Sequence, residues 1–360
     1  MKRIISFILL LNMMLALCSC NLIPDKDSYK TRSRDISTVY FNTHSMLSTY
    51  ADESDEQIES YVKIADEVLS YYHKLFDIYY EYSGVNNIKT INKNAGKSPV
   101  VVDTEMIDFL EYCKEIYTIT EGRTNVMLGS VLKIWHDCRE EAEEDFGYLA
   151  PEYLPTQTEL AEASEHTSID ALIIDRESST VYISDPLASL DVGAVAKGYT
   201  VDILYERIKA TGADSVVLNI GGSIRAIGER PNGDGWIVGI TNPHKTVEKP
   251  FAVRITFRDT ALVTSGDYER YFVSGEEKYH HIIDPDTNMP ARYFSAVSIL
   301  TEESALADAL STALFCMSYE DGAALVESLR QQGKQIDVLW IDREGNQHMT
   351  DGFCASVYEE

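Results

Sequence analysis

The stretch Ser189-Leu-Asp-Val-Gly-Ala-Val-Ala-Lys-Gly-Tyr-Thr200 decides how the chain is read. Its first half is a short buried strand, with Leu190 and Val192 as the apolar side chains. It breaks at Gly193-Ala194 into an amphipathic helix from about Val195. Small residues at the break let a large ligand approach the main chain. Free N–H groups at a helix start favour a phosphate, and Lys197 adds a positive charge in the first turn. An ordinary strand-to-helix turn with a solvent-facing lysine satisfies the same letters, so the rest of the chain has to discriminate.

Charge narrows the choice. Among 360 residues, 31 Lys and Arg stand against 58 Asp and Glu, a net charge of −27. Such a surface repels nucleic acid, and any phosphate ligand needs a local cation to offset the field. At the N-terminus Lys2-Arg3 precede an apolar run, Ile4 to Leu17, too short for a comfortable membrane span. It ends in Leu17-Cys18-Ser19-Cys20, which resembles a bacterial lipobox. By that resemblance residues 1–19 are a signal peptide and Cys20 is the lipidated mature N-terminus. Residues 20–35 are then a polar tether, and 36–360 are the folded domain. The spacing of Cys113, Cys138, Cys316 and Cys354 matches no metal-ligand pattern and leaves their pairing open.

Outward from the opening stretch, the pattern mixes strands and helices. Val39 to Met46 reads as a strand. Ser54 and Gln57 form a capping box ahead of a helix whose stripe is Ile58, Val62, Ala65, Leu69, Tyr72 and Phe76. Residues 83–99 read as a long loop, and a second helix spans about 103–120. The acidic run Glu140 to Asp145 reads as a solvated face or surface insertion. Hairpins are expected around Arg176–Ser179, Asn232–Gly235 and Arg343–Asn346, with C-terminal helices over Ser304–Met317 and Tyr319–Gln331. Strands and helices interleave without a regular βαβ rhythm, which argues an α+β fold in one domain.

Three later segments carry polar groups of the right kind: Thr264-Ser-Gly-Asp-Tyr268, His280-His-Ile-Ile-Asp-Pro285 and Ala305-Leu-Ala-Asp-Ala-Leu-Ser-Thr-Ala313. On an extended chain only one of His280 and His281 points into a given site. Asp308 and Thr312 share one helix face, flanked by apolar residues, where an unpaired carboxylate is costly. Either a basic partner or a hard cation such as Mg²⁺ resolves that cost.

These motifs, with Asp191-Val-Gly-Ala-Val-Ala-Lys-Gly-Tyr199 and Asn219-Ile-Gly-Gly-Ser-Ile-Arg225, resemble the ApbE family of flavin transferases in order and spacing, over about residues 41–342. The resemblance implies mixed or antiparallel sheets packed with helices around a central cleft for FAD. It implies Mg²⁺, or Mn²⁺, on the Asp308 carboxylate, the Thr312 hydroxyl and the Ala194 carbonyl. It places Phe41, Tyr79 (or Tyr82), Arg123, Thr124, Asn125, Asp191, Lys197 and Ile282 at FAD-contacting positions, with His281 as base. Phe41-Asn-Thr43 stands where many members read Met-Gly-Thr, and Arg123-Thr-Asn125 where they read Ala-Phe-Asp.

The implied reaction moves FMN from FAD to a Thr or Ser hydroxyl of an acceptor flavoprotein and releases AMP. Acceptors of that kind are membrane redox-complex subunits or secreted flavoproteins, which agrees with a lipid-anchored protein on the extracytoplasmic face of the cell membrane. An FAD pyrophosphatase and a non-catalytic flavin-binding lipoprotein are the rival readings of the same residues.

Overall fold

Apolar residues on both faces of a strand require cover on both sides. Strand Ser215–Ile220 turns Val216 and Leu218 to one side and Val217 to the other, and Ile336–Asp342 does the same with Val338 and Trp340 against Leu339 and Ile341. The computed structural model, which describes residues 20–22, 31–50 and 53–359, satisfies both faces. Among the described residues, eight strands form the central sheet. Their order is Gln347–Met349, Ile336–Asp342, Phe294–Thr301, Ala261–Gly266, Ser223–Gly228, Ser215–Ile220, Ser45–Tyr50 and Thr31–Ser37, antiparallel at every contact. Helices Asp55–Phe76, Ala196–Lys209 and Ser304–Phe315 cover one face in a large shared core. A second core on the other face is closed by strands Trp236–Thr241 and Phe251–Phe257, with Trp236 and Phe353 fully buried.

A third, smaller core forms around helix Gly129–Glu144, where Val131, Trp135, Cys138 and Ala142 pack on Phe272 and Ile283. Trp135 stacks on Tyr279, with ring centroids 5.8 Å apart, and its Nε1 donates to the Asn288 carbonyl at 2.9 Å. This locks the helix to the hairpin Tyr271–Ser274/Glu277–His280, which leads directly into His281.

The expected α+β architecture holds, and so do several boundaries. The Ser54 capping box is present and starts the helix at Asp55. Tyr319–Gln331 is helical as expected, and both β turns around Arg176–Ser179 and Arg343–Asn346 close hairpins. The acidic run is the exposed last turn of helix Gly129–Glu144, with only Ala142 turned inward.

Four expectations are corrected. The strand expected over Val39 to Met46 is Ser45–Tyr50, because Tyr40–Asn42 form a tight 3₁₀ turn in which Phe41 and Asn42 have φ of 55° and 52°. Residues 83–99 contain a capped helix, Ile88–Lys93, begun by the Asn87 side chain. Strands Ser223–Gly228 and Trp236–Thr241 flank Asn232–Gly235 yet belong to different sheets, so no hairpin forms there. Ser189–Leu190 is an extended segment bridged once to Leu128 and is not part of a sheet.

Residues 31–35 of the expected tether lie in the edge strand Thr31–Ser37. The expected signal peptide, 1–19, lies outside the described residues. Cys113, Cys138 and Cys316 are buried free thiols, and Cys354 is exposed and free.

Candidate functional site

Two helices make the centre of the site. Ala196–Lys209 carries Lys197, and Ser304–Phe315 carries Asp308. They cross closely because Gly198 has no side chain: a Cβ there would lie 2.3 Å from the Ser304 carbonyl oxygen and 2.7 Å from Asp308 Cβ. Asp202, on the first helix, accepts from the N–H groups of Ser304 (2.8 Å) and Ala305 (2.9 Å), and so caps the second. The same carboxylate pairs with Arg225, whose guanidinium lies 3.6 Å from the Tyr205 ring centre.

Asp308 is 4% exposed, and its carboxylate has specific partners. Lys197 Nζ donates to Oδ1 at 3.0 Å and Oδ2 at 3.2 Å. The Gly198 N–H, one of the donors that a helix start leaves without an intrahelical partner, donates to Asp308 Oδ2 at 2.9 Å. Thr312 Oγ1 donates to the Asp308 carbonyl at 3.3 Å, and Ser311 Oγ does so at 2.9 Å. Ser265, near the end of strand Ala261–Gly266, meets Ser311, Oγ to Oγ, at 2.8 Å. Motifs separated by more than a hundred residues thus meet at one carboxylate.

The segment before Lys197 is held from behind. Asn92, from the short helix in the former loop, accepts from Leu190 N–H (2.7 Å) and donates to the Leu190 carbonyl (2.9 Å). Asp191 Oδ1 accepts from Gly193 N–H at 3.0 Å, fixing the turn, and its Oδ2 lies 3.7 Å from His136 Nε2. Tyr79 O–H is 3.4 Å from His136 Nδ1, whereas Tyr82 is committed to Asp77 at 2.6 Å. Of the two tyrosines, only Tyr79 joins the Asp191 group.

The two histidines separate as the strand geometry requires. His280 is buried, with Nε2 donating to the Ala291 carbonyl (2.7 Å) and Nδ1 accepting from Ile282 N–H (3.2 Å). Burial lowers its pKa to about 4, so it is a neutral structural residue. His281 is half-buried, its N–H bonded to the Arg270 carbonyl at 3.0 Å, and its Nδ1 has no partner. Burial, then the charges of Arg270, His280 and Arg139, hold its imidazole well below the usual histidine range. It is a neutral ring with a free nitrogen.

The remaining expected residues sit differently. Thr124 is buried and donates to the Ala309 carbonyl at 2.8 Å, which ties its segment to the Asp308 helix. Asn125 is used internally, donating to the Thr167 carbonyl and accepting from Met127 N–H. Arg123 pairs with Asp286 and lies 3.6 Å from Asp284. The Ile282 side chain belongs to the core. Phe41 packs edge-on to His73, whose Nδ1 accepts its N–H at 3.3 Å. Asn42 adopts its positive φ at the position where many members carry glycine, and asparagine tolerates that conformation best among side-chain-bearing residues.

Three residues were not singled out from the sequence: His136, Arg139 and Arg270. His136 and Arg139 are three apart on the helix anchored by Trp135, a spacing that puts both on one face. That helix face becomes part of the site only through tertiary packing on the Tyr271–His280 hairpin.

A small-residue break, a lysine in a helix's first turn and a buried carboxylate thus meet in one antiparallel α+β fold. A model of the ApbE family matches residues 41–339. An FAD:protein FMN transferase of Treponema pallidum is 34% identical over 269 residues, 71% of this chain and 70% of that protein. One of Haemophilus influenzae is 28% identical over 360 residues, 99% of this chain and 97% of that protein. The crystal structure of the ApbE protein of Thermotoga maritima superposes with a TM-score of 0.76 at 25% identity, covering 92% of this chain and all of that one. The chain belongs to the ApbE family.

Proposed function

We propose that the protein transfers FMN from FAD to a threonine or serine hydroxyl of an acceptor flavoprotein. The observation that carries this reading is the buried Asp308, met by Lys197 and the Gly198 N–H at the crossing of two helices. Relatives bearing the name FAD:protein FMN transferase match most of the chain.

The donor set at Asp308 consists of hard oxygens and suits Mg²⁺ or Mn²⁺. No cluster of three His, Cys, Asp or Glu side chains able to hold a metal occurs among the described residues. A metal here therefore depends on one carboxylate plus neutral oxygens and ligand phosphates, a habit of Mg²⁺. The Asp308 carboxylate, the Thr312 hydroxyl and the Ala194 carbonyl would hold it, and it would neutralise diphosphate charge. Lys197 adds a mobile cation that serves the carboxylate without ligand and the diphosphate with it.

In the reaction the acceptor oxygen forms a bond to the FMN phosphorus, and the bond from that phosphorus to the bridging oxygen breaks. AMP leaves with the bridging oxygen. The hydroxyl proton passes to the free nitrogen of His281, which is available because the ring is neutral. Phosphoryl transfer relies chiefly on positioning and charge neutralisation, and both are functions of the crossing helices. Asp191, Tyr79 and the strained Phe41 turn line the FAD side. Arg123, Thr124, Asn125 and Ile282 act through main-chain contacts or by supporting the Asp308 helix.

We place the mature protein on the extracytoplasmic face of the membrane, lipid-anchored at Cys20, with a membrane redox subunit or secreted flavoprotein as acceptor. Incubation with FAD, Mg²⁺ and a threonine-bearing acceptor peptide, read by mass spectrometry, tests the activity. An FMN adduct with stoichiometric AMP supports it. Free FMN and AMP with unlabelled peptide would contradict transfer and favour hydrolysis.

A further inference from the structure

Helix Asp55–Phe76 ends beside Phe41 and Tyr79, and its last turn reaches both of them. His73 Nδ1 accepts the Phe41 N–H at 3.3 Å, and the two rings meet edge-on with centroids 5.7 Å apart. Four residues on, one helical turn away, stands the C-cap Asp77, which is 8% exposed. Asp77 Oδ1 accepts the Tyr79 N–H at 2.6 Å and the Tyr80 N–H at 3.1 Å, and its Oδ2 accepts the Tyr82 hydroxyl at 2.6 Å. The Tyr82 ring returns to His73, edge-on, with centroids 6.4 Å apart. Phe41, His73, Tyr82, Asp77 and Tyr79 thus form one unbroken chain of contacts.

We infer that His73 and Asp77 are positioning residues that hold Phe41 and Tyr79 in place for FAD. The inference rests on the transferase reading, in which those two side chains line the FAD side. Neither is fixed by burial: Phe41 is half-buried and Tyr79 is 44% exposed. Phe41 also sits at φ 55°, ψ 21°, a left-handed conformation that is costly for a bulky side chain and persists only where its surroundings enforce it. The His73 bond is one such restraint. The glycine pair of the Asn219–Arg225 motif is the other: Gly221 donates its N–H to the His44 carbonyl at 3.0 Å, and an added Cβ there would lie 2.1 Å from Thr43 Oγ1.

Both anchors accept from main-chain N–H groups. His73 does so only with Nδ1 unprotonated, and burial lowers its pKa from the ordinary histidine value. The Asp77 carboxylate, met by three donors, fixes the turn from which the Tyr79 hydroxyl lies 3.4 Å from His136 Nδ1. Rings set before the ligand arrives bind it without a further loss of conformational freedom. Neither anchor touches the reacting atoms, so its loss should appear in FAD affinity and not in the rate of the loaded protein.

The test reads FAD affinity on the full chain by flavin fluorescence, with Mg²⁺ and no acceptor, beside KM and kcat for FMN transfer. His73→Leu and Asp77→Ala should each weaken FAD binding and raise KM about tenfold, with kcat within about twofold of wild type. His73→Asn and Asp77→Asn, which keep an acceptor oxygen, should bring the affinity back to within about threefold. His73 is half-buried, so His73→Leu carries the test even where Asp77→Ala fails to fold. Unchanged FAD affinity in His73→Leu, a fall in kcat with KM unmoved, or no rescue by His73→Asn would each overturn the inference. Weaker FAD binding in the variants of a protein that transfers no FMN would support the positioning role and remove the transferase reading. If the wild type bound no FAD, both would fail.

Discussion

Gly198 lies so close to Ser304 that a single added methyl group would sit 2.3 Å from the Ser304 carbonyl oxygen. Main chain opposes that position, so nothing flexible is there to yield. Gly198→Ala must therefore push the two helices apart, at a cost of roughly 1–3 kcal/mol in stability. The same shift breaks the Gly198 N–H to Asp308 bond. A lowered melting temperature together with a loss of FMN transfer larger than the loss of folded protein is expected.

Asp202 holds the aspartate helix in place from the lysine helix. Asp202→Ala bares two N–H groups and leaves Arg225, which is 8% exposed, without its carboxylate. Breaking one side of a buried pair costs about 3–5 kcal/mol. Denaturant unfolding should show that loss, and Arg225→Met in the same background should recover part of it. Without recovery, the cost would not lie in the stranded guanidinium.

His280 makes stability pH-dependent in a defined direction. Its folded pKa is about 4 against an ordinary 6.5, so the unfolded chain binds the extra proton below pH 6.5. Its contribution is present above that value and is lost as pH falls toward 4. The difference corresponds to roughly 3 kcal/mol. His280→Gln should flatten the stability profile between about pH 6.5 and 4, measured by denaturant midpoints. An unchanged slope would remove His280 as its source.

His281 has the opposite signature, chemical and not structural. Its Nδ1 has no partner to lose. His281→Ala should leave FAD binding and thermal stability near wild type and slow transfer about 10²–10⁴-fold. An unchanged rate would remove its assigned role as base.

Much of this was legible in the sequence, for local reasons. Ser54 and Gln57 specify a helix start through side-chain bonds within four residues, and the Asp308–Thr312 spacing fixes a shared face in any helix. The family motifs then linked segments far apart. What was not legible depends on where elements pack. Asn232–Gly235 has hairpin letters, yet the strands on either side enter different sheets to cover opposite faces of one core. Asn92 looks like loop polarity until its two bonds to Leu190 are seen. His136 sits on an ordinary amphipathic helix and comes beside Asp191 only because Trp135 docks that helix on the Tyr271–His280 hairpin.

The central claim is that one divalent ion joins Asp308 to the diphosphate of FAD. Phosphorus NMR of the FAD complex during Mn²⁺ titration tests it most directly, because the paramagnetic ion broadens only nearby nuclei. In the wild type both diphosphate resonances should broaden at substoichiometric Mn²⁺, and in Asp308→Ala they should stay sharp at the same concentration. Equal broadening in both proteins would contradict the account.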